Sequence, residues 1–143
     1  MIEYIERITA SQTMEDVWPI HCEAMAQFGF NRVLYGMTRS RTRDSLGSAE
    51  DFLILTNLSE DYTYPFIEQG LYKHAPMMRW VLNNSGAMSW NWVQQHISEL
   101  TIEQRQVIDF NNEHNVFAGY SVSFQEVSAR SIAAIALSYN RLT

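Results

Sequence analysis

The residues of this chain that could carry chemistry are few and scattered. It has four histidines, His21, His74, His96 and His114, and one cysteine, Cys22. None of the histidines joins another histidine or a carboxylate in a metal-ligand constellation, so neither a metal site nor a cofactor is expected. His21 beside Cys22 suggests a base and a nucleophile, but adjacent residues of a helix point in different directions. His21 belongs to an apolar stripe and reads as a packed histidine. His74 precedes Ala75-Pro76 and reads as part of a turn. The chain has no Gly-x-Ser-x-Gly elbow, no phosphate-cradling glycine loop and no His-Glu-x-x-His pair. Glu60-Asp61 stands at a helix start, where capping accounts for it. Asn57-Leu58-Ser59 and Asn83-Asn84-Ser85 match the glycosylation sequon, a pattern that means nothing without secretion. No catalytic residue is assigned, and an enzyme is not expected. Arg39, Arg41 and Arg43 alternate in a polar stretch. They read either as a solvated loop or as a site for an anion or a partner.

The aromatic residues are unevenly placed. Between Tyr62 and Trp92 stand seven: Tyr62, Tyr64, Phe66, Tyr72, Trp80, Trp90 and Trp92. An aromatic share of 13% would put about four there. Two readings follow, an aromatic core around one helix or an apolar small-molecule pocket with a few polar groups.

The bulk composition narrows the class. A chain of 143 residues is most simply one domain, with 46% hydrophobic and 18% charged residues marking it as globular. A net charge of −6 argues against DNA contact by this domain. One cysteine excludes an internal disulfide. No apolar run approaches the roughly 20 residues that span a membrane. The start, Met1-Ile2-Glu3-Tyr4-Ile5-Glu6, is acidic and mixed rather than a signal peptide, so a cytoplasmic location is expected.

These residues must be positioned by elements that the pattern suggests. Met14, Val17, Trp18, His21, Met25 and Phe28 recur at helical spacing, with Thr13 as cap and Gly29 as stop. Pro19 inside that helix should remove a hydrogen bond and kink it. Phe30–Met37 and Phe52–Thr56 read as strands, with Thr38–Asp51 as a loop between them. Tyr62–Tyr72 reads as a short helix, and a second opens with Pro76 and ends at Asn83. Ala87–Val93 sets Met88, Trp90 and Trp92 against Ser89 and Asn91, a strand-like period of two. Thr101-Ile102-Glu103-Gln104 fits a capping box before a helix bearing Val107, Ile108 and Phe110. Gly119–Glu126 and Ser131–Tyr139 read as two strands joined by a polar turn. The order predicts an α+β fold, an antiparallel five-stranded sheet with helices on both faces, an α-β-α sandwich spanning residues 1–143.

Several of these segments carry a likeness. Gly29-Phe30-Asn31-Arg32-Val33-Leu34-Tyr35-Gly36, Asn57, Gly70, Pro76, Trp90, Gly119-Tyr120-Ser121-Val122-Ser123-Phe124 and Ala133–Tyr139 together resemble the autoinducer-binding domain of quorum-sensing transcription regulators of the LuxR type. The resemblance implies that an acyl-homoserine lactone lies between the sheet and a helical layer, its lactone held by polar side chains. Carried over by position, the family's aspartate is Ala75, its tryptophan donor is Tyr62, a tyrosine four residues earlier is Leu58, Phe66 replaces another tyrosine, and Trp90 keeps a wall position.

Strand parity and these matches give Leu34, Gly36, Thr38, Ile54, Thr56, Tyr62, Phe66, Ala75, Met77, Trp90, Ala136 and Ser138 as the expected ligand-binding residues. The expected function is a bacterial ligand-sensing regulatory domain. It would bind an acyl-homoserine-lactone-like or other amphipathic signal with atypical head recognition. The alternative is a ligand-independent module that inhibits a full-length related regulator by heterodimerisation. A homodimer is among the partners the resemblance allows. The family's DNA-binding helix-turn-helix half and dimerisation helix are absent from this chain, which is either a piece of a longer regulator or a short natural form.

Overall fold

In a computed structural model, residues 1–125 and 130–139 are described. The end of the expected strand at Glu126 and most of the polar turn after it lie outside the described residues. Five strands form one antiparallel sheet: β1 Arg32–Thr38, β2 Leu53–Thr56, β3 Gly86–Ser89, β4 Ala118–Gln125 and β5 Ile132–Tyr139. Their spatial order is β2-β1-β5-β4-β3, so the last strand in the chain occupies the centre. The helices are α1 Ile2–Ala10, α2 Met14–Gln27, α3 Glu60–Thr63, α4 Met78–Asn83, α5 Asn91–Gln95 and α6 Ile102–Glu113. The architecture is the expected α+β sandwich.

Local chemistry explains most boundaries. Thr13 caps α2 by accepting from the Asp16 amide at 3.1 Å. The α2 assignment runs unbroken through Pro19, where a kink was expected. Thr101 and Gln104 form both bonds of the capping box on α6, at 3.1 and 2.9 Å. Replacing Thr101 by alanine is expected to cost about 1 kcal/mol, read as a lower denaturation midpoint.

Four assignments differ from the sequence expectation. The first is α1, which the pattern did not suggest; it packs on α2 through buried Tyr4. Second, the segment Tyr62–Tyr72 is not one helix. Pro65 lacks the amide that would continue α3, and the chain widens into a π-turn over Tyr64–Glu68. Gly70, at φ +84°, then resets it for a 3₁₀ turn over Leu71–His74. Third, Pro76 does not open α4, because Ala75-Pro76-Met77 forms a turn closed by the Met78 amide on the Ala75 carbonyl at 2.9 Å. Fourth, the alternating run Ala87–Val93 is a strand only to Ser89. The Ser89 hydroxyl accepts from the Asn91 amide at 3.1 Å and the chain turns into α5.

The core joins α4 to the sheet through Val81, Leu82 and Ile132. The last carbonyls of α4 need partners, and side chains far along the chain supply them. The Ser123 hydroxyl donates to the Val81 carbonyl at 2.8 Å. Arg41 Nη2 and Gln125 Nε2 donate to the Leu82 carbonyl at 2.9 and 3.2 Å. Arg41 is therefore a helix cap, while Arg39 and Arg43 stay exposed. Asn57 plays a similar part beside β1, accepting from the Val33 amide at 2.9 Å and donating to the Asn31 carbonyl at 3.1 Å.

Candidate functional site

Successive strand residues face opposite sides. On β1, Leu34, Gly36 and Thr38 face the helical layer of α3 to α6. Antiparallel register places Ala136 opposite Leu34, Ala134 opposite Gly36, and Ser121 opposite Ala136. The middle of this sheet face is thus paved with small side chains. They cannot fill the gap beneath the helices, and a cavity of about 430 Å³ remains. That size lies within the range of small-molecule pockets, roughly 300–1,000 Å³.

The helical side of the cavity is largely apolar. Phe66, Ile67, Met77, Met78, Val81, Val93, Ile108, Val116 and Phe117 line it together with Tyr62, Tyr72 and Trp90. None of the described lining residues is charged. The polar groups are the side chains of Thr38, Tyr62, Tyr72, Trp90, Gln94, Asn111, Asn112, Ser121 and Ser138.

Six of these are already paired within the chain: Thr38 accepts from the Ser40 amide at 3.1 Å, Tyr72 donates to the Gly47 carbonyl at 3.4 Å, and four others pair with each other. The Tyr62 hydroxyl donates to Asn111 Oδ1 at 2.8 Å. The Trp90 indole donates to the Ser121 hydroxyl at 2.9 Å. Tyr62 is held on all sides, stacked on Phe66 at 5.1 Å, tilted against Phe110 at 5.2 Å and edge-on to His114 at 5.6 Å. Its burial pushes the phenol well above its usual pKa, against a smaller lowering by the Arg32 charge. The unfolded chain ionises this phenol near pH 10 and the folded one later. Stability is therefore expected to fall as pH rises above about 10, and Tyr62 should be absent from the early part of an ultraviolet phenolate titration.

Of the residues expected from sequence, Leu34, Gly36, Thr38, Ile54, Tyr62, Phe66, Ala75, Met77, Trp90, Ala136 and Ser138 line this one cavity. Thr56 does not. Its hydroxyl donates to the Val33 carbonyl at 2.8 Å and accepts from the Leu58 amide at 3.0 Å, so it serves the sheet edge. Trp92, which strand parity set beside Trp90, stacks on His96 at 4.3 Å instead. Asn111, Asn112, Gln94, Ser121 and Tyr72 were missed. A signal existed for two of them: Ile108, Asn111 and Asn112 stand at i, i+3 and i+4, placing amides on the inner face of α6. Cys22 lies apart from the cavity, and burial raises its thiol pKa, opposite to an activated nucleophile.

The profile of the autoinducer binding domain matches residues 13–142. The chain belongs to this family of LuxR-type domains. Autoinducer-binding domains are signal receptors, not enzymes. The fold agrees. The family transcription factor CepR2 from Burkholderia cenocepacia, described as N-acylhomoserine lactone dependent, superimposes with a TM-score of 0.76 at 16% identity. That match covers 99% of this chain and 76% of CepR2. Escherichia coli SdiA matches at 0.72 and 14% identity over 99% of this chain and 55% of its own. The ligand-binding domain of VqsR from Pseudomonas aeruginosa matches at 0.66 and 15%, over 99% of this chain and 80% of its own. No curated protein matches the sequence. In this autoinducer-binding domain, the cavity lies between the sheet and the helical layer. Among the described residues no helix is long and apolar enough to cross a membrane.

Proposed function

We propose that this domain senses a small amphipathic molecule held in the cavity, with acyl-homoserine lactones bound weakly or not at all, as the sensing part of a transcription regulator. What supports the reading is a preformed apolar cavity of about 430 Å³, with Ala75 and Tyr62 at the positions where the resemblance implies the family's aspartate and tryptophan. Ala75 offers no side-chain acceptor to a ligand amide. Leaving that amide unsatisfied costs about 1–3 kcal/mol, or roughly 5–150-fold in affinity. Tyr62 stands at the tryptophan position, but its proton already points to Asn111. Trp90 keeps the wall and donates to Ser121. SdiA has been solved in complex with octanoyl-rac-glycerol, a molecule without a lactone. A cavity of this size also favours sensing over the ligand-independent inhibitory module.

Calorimetry with a series of acyl lactones and other acyl amphiphiles tests the reading. Ala136 is on the cavity floor, and Ala136→Phe is expected to fill the space and abolish binding while the domain stays folded. Micromolar lactone binding that Tyr62→Phe abolishes would defeat the proposal of weak lactone recognition. A filled variant that still binds would place the ligand elsewhere.

A further inference from the structure

Arg32 carries a charge at the edge of the sheet and is not itself among the residues that line the cavity. Arg32 begins β1 with the same parity as Leu34, Gly36 and Thr38, so its side chain leaves the sheet on the cavity face. Directly across the ladder stands Ser138, a cavity residue only 3% exposed. Opposed residues on one face bring their Cβ atoms within roughly 5 Å. Arg32 Nε is buried and has no hydrogen-bond partner. Among the described residues Arg32 forms no ion pair. The Arg32 charge lowers the Tyr62 phenol pKa slightly against the larger effect of burial, so the two groups lie within electrostatic reach of each other.

A buried donor on a cation is costly to leave unmade, and its best partner is an anionic oxygen. Among the described residues, neither the cavity wall nor an ion pair of Arg32 supplies one. The family's aspartate would have placed a carboxylate in this cavity, but the residue is Ala75. A wall without acidic groups among the described residues, beside a guanidinium whose Nε is unpaired, has a consistent sign. It suits a head group that brings the negative charge itself.

We propose that the cognate ligand carries a carboxylate, held by Arg32 with the Ser138 hydroxyl beside it, and an apolar tail along the floor of small residues toward Thr38. The ligand class is a fatty-acid-like carboxylate rather than a neutral lactone. This assignment rests on the cavity being the ligand site.

The test titrates the whole chain by calorimetry with decanoate, decanamide and N-decanoyl-homoserine lactone, which share a tail and differ in the head. Decanoate is expected to bind at least about tenfold tighter than either neutral probe, the scale of one charge-assisted hydrogen bond. Arg32→Gln should bring decanoate down to about the decanamide level, with an unchanged denaturation midpoint showing that the variant is folded. Arg32→Lys should keep part of the preference, because the charge remains while the planar fork is lost. Decanamide or the lactone binding as tightly as decanoate overturns the inference and leaves the cavity reading standing. An unchanged preference in Arg32→Gln overturns it as well. Failure of every probe to bind, with Ala136→Phe indistinguishable from the parent, overturns both readings together.

Discussion

Replacing Gly119 by alanine is expected to cost about 3 kcal/mol or more, and to leave little folded protein. Gly119 sits on β4 opposite Ser138 of β5. An added Cβ would overlap the Leu137 carbonyl oxygen and lie 2.9 Å from both the Leu137 carbonyl carbon and Ser138 Cα. All three atoms are backbone of the central strand, which β1 and β4 grip from both sides. A side chain could rotate away; a paired backbone cannot without breaking ladder bonds. Native domains hold only about 5–15 kcal/mol in total, so this loss is a large fraction. The Gly119 carbonyl also accepts the Trp90 amide at 2.9 Å, so a displaced β4 carries a cavity wall with it. Gly86→Ala separates contact from conformation. No atom lies within 4 Å of its added Cβ, but φ is +103°, and the cost should be the smaller backbone strain of about 1–2 kcal/mol. Chemical denaturation of both variants checks the order, and a Gly119→Ala protein as stable as the parent would refute it.

Ala75→Asp is expected to raise affinity for an acyl-homoserine lactone by roughly 5–150-fold, the value of one buried acceptor restored to a ligand amide. The backbone there accepts the change, since φ −62° and ψ 130° suit any residue before a proline. The Ala75 methyl already lines the cavity and is half-buried, so a carboxylate enters the space without displacing a packed group. The same substitution should weaken an anionic ligand, because a second negative charge then shares the cavity. Opposite responses of lactone and decanoate to one substitution would identify the position as the selector of head group. Parallel responses would show that Ala75→Asp acts by reshaping the cavity, and would refute the selection.

Much of the cavity lining is readable in the sequence, because its signals are local. Period two on β1 puts Leu34, Gly36 and Thr38 on one face, and Phe66 stacks on Tyr62 four residues earlier although a π-turn replaces the expected single helix. Thr13 and the Thr101 capping box could be placed because a cap depends on a few neighbouring residues. Local signals misled where two short elements abut. Met88, Trp90 and Trp92 alternate like a strand, yet a hydroxyl at Ser89 is enough to turn the chain into α5.

The sequence by itself determined the family, the α+β class, and the small residues that leave room under the helices. These follow from residue type and short spacing. Only the tertiary structure decided which polar groups are free. Tyr62 meets Asn111 across 49 residues, Trp90 meets Ser121 across 31, and Arg41 reaches Leu82 across 41. Such pairs are fixed by strand register and by the angle at which helices cross the sheet, which no local pattern encodes. The same register set Arg32 beside Ser138 with a buried nitrogen left unpaired.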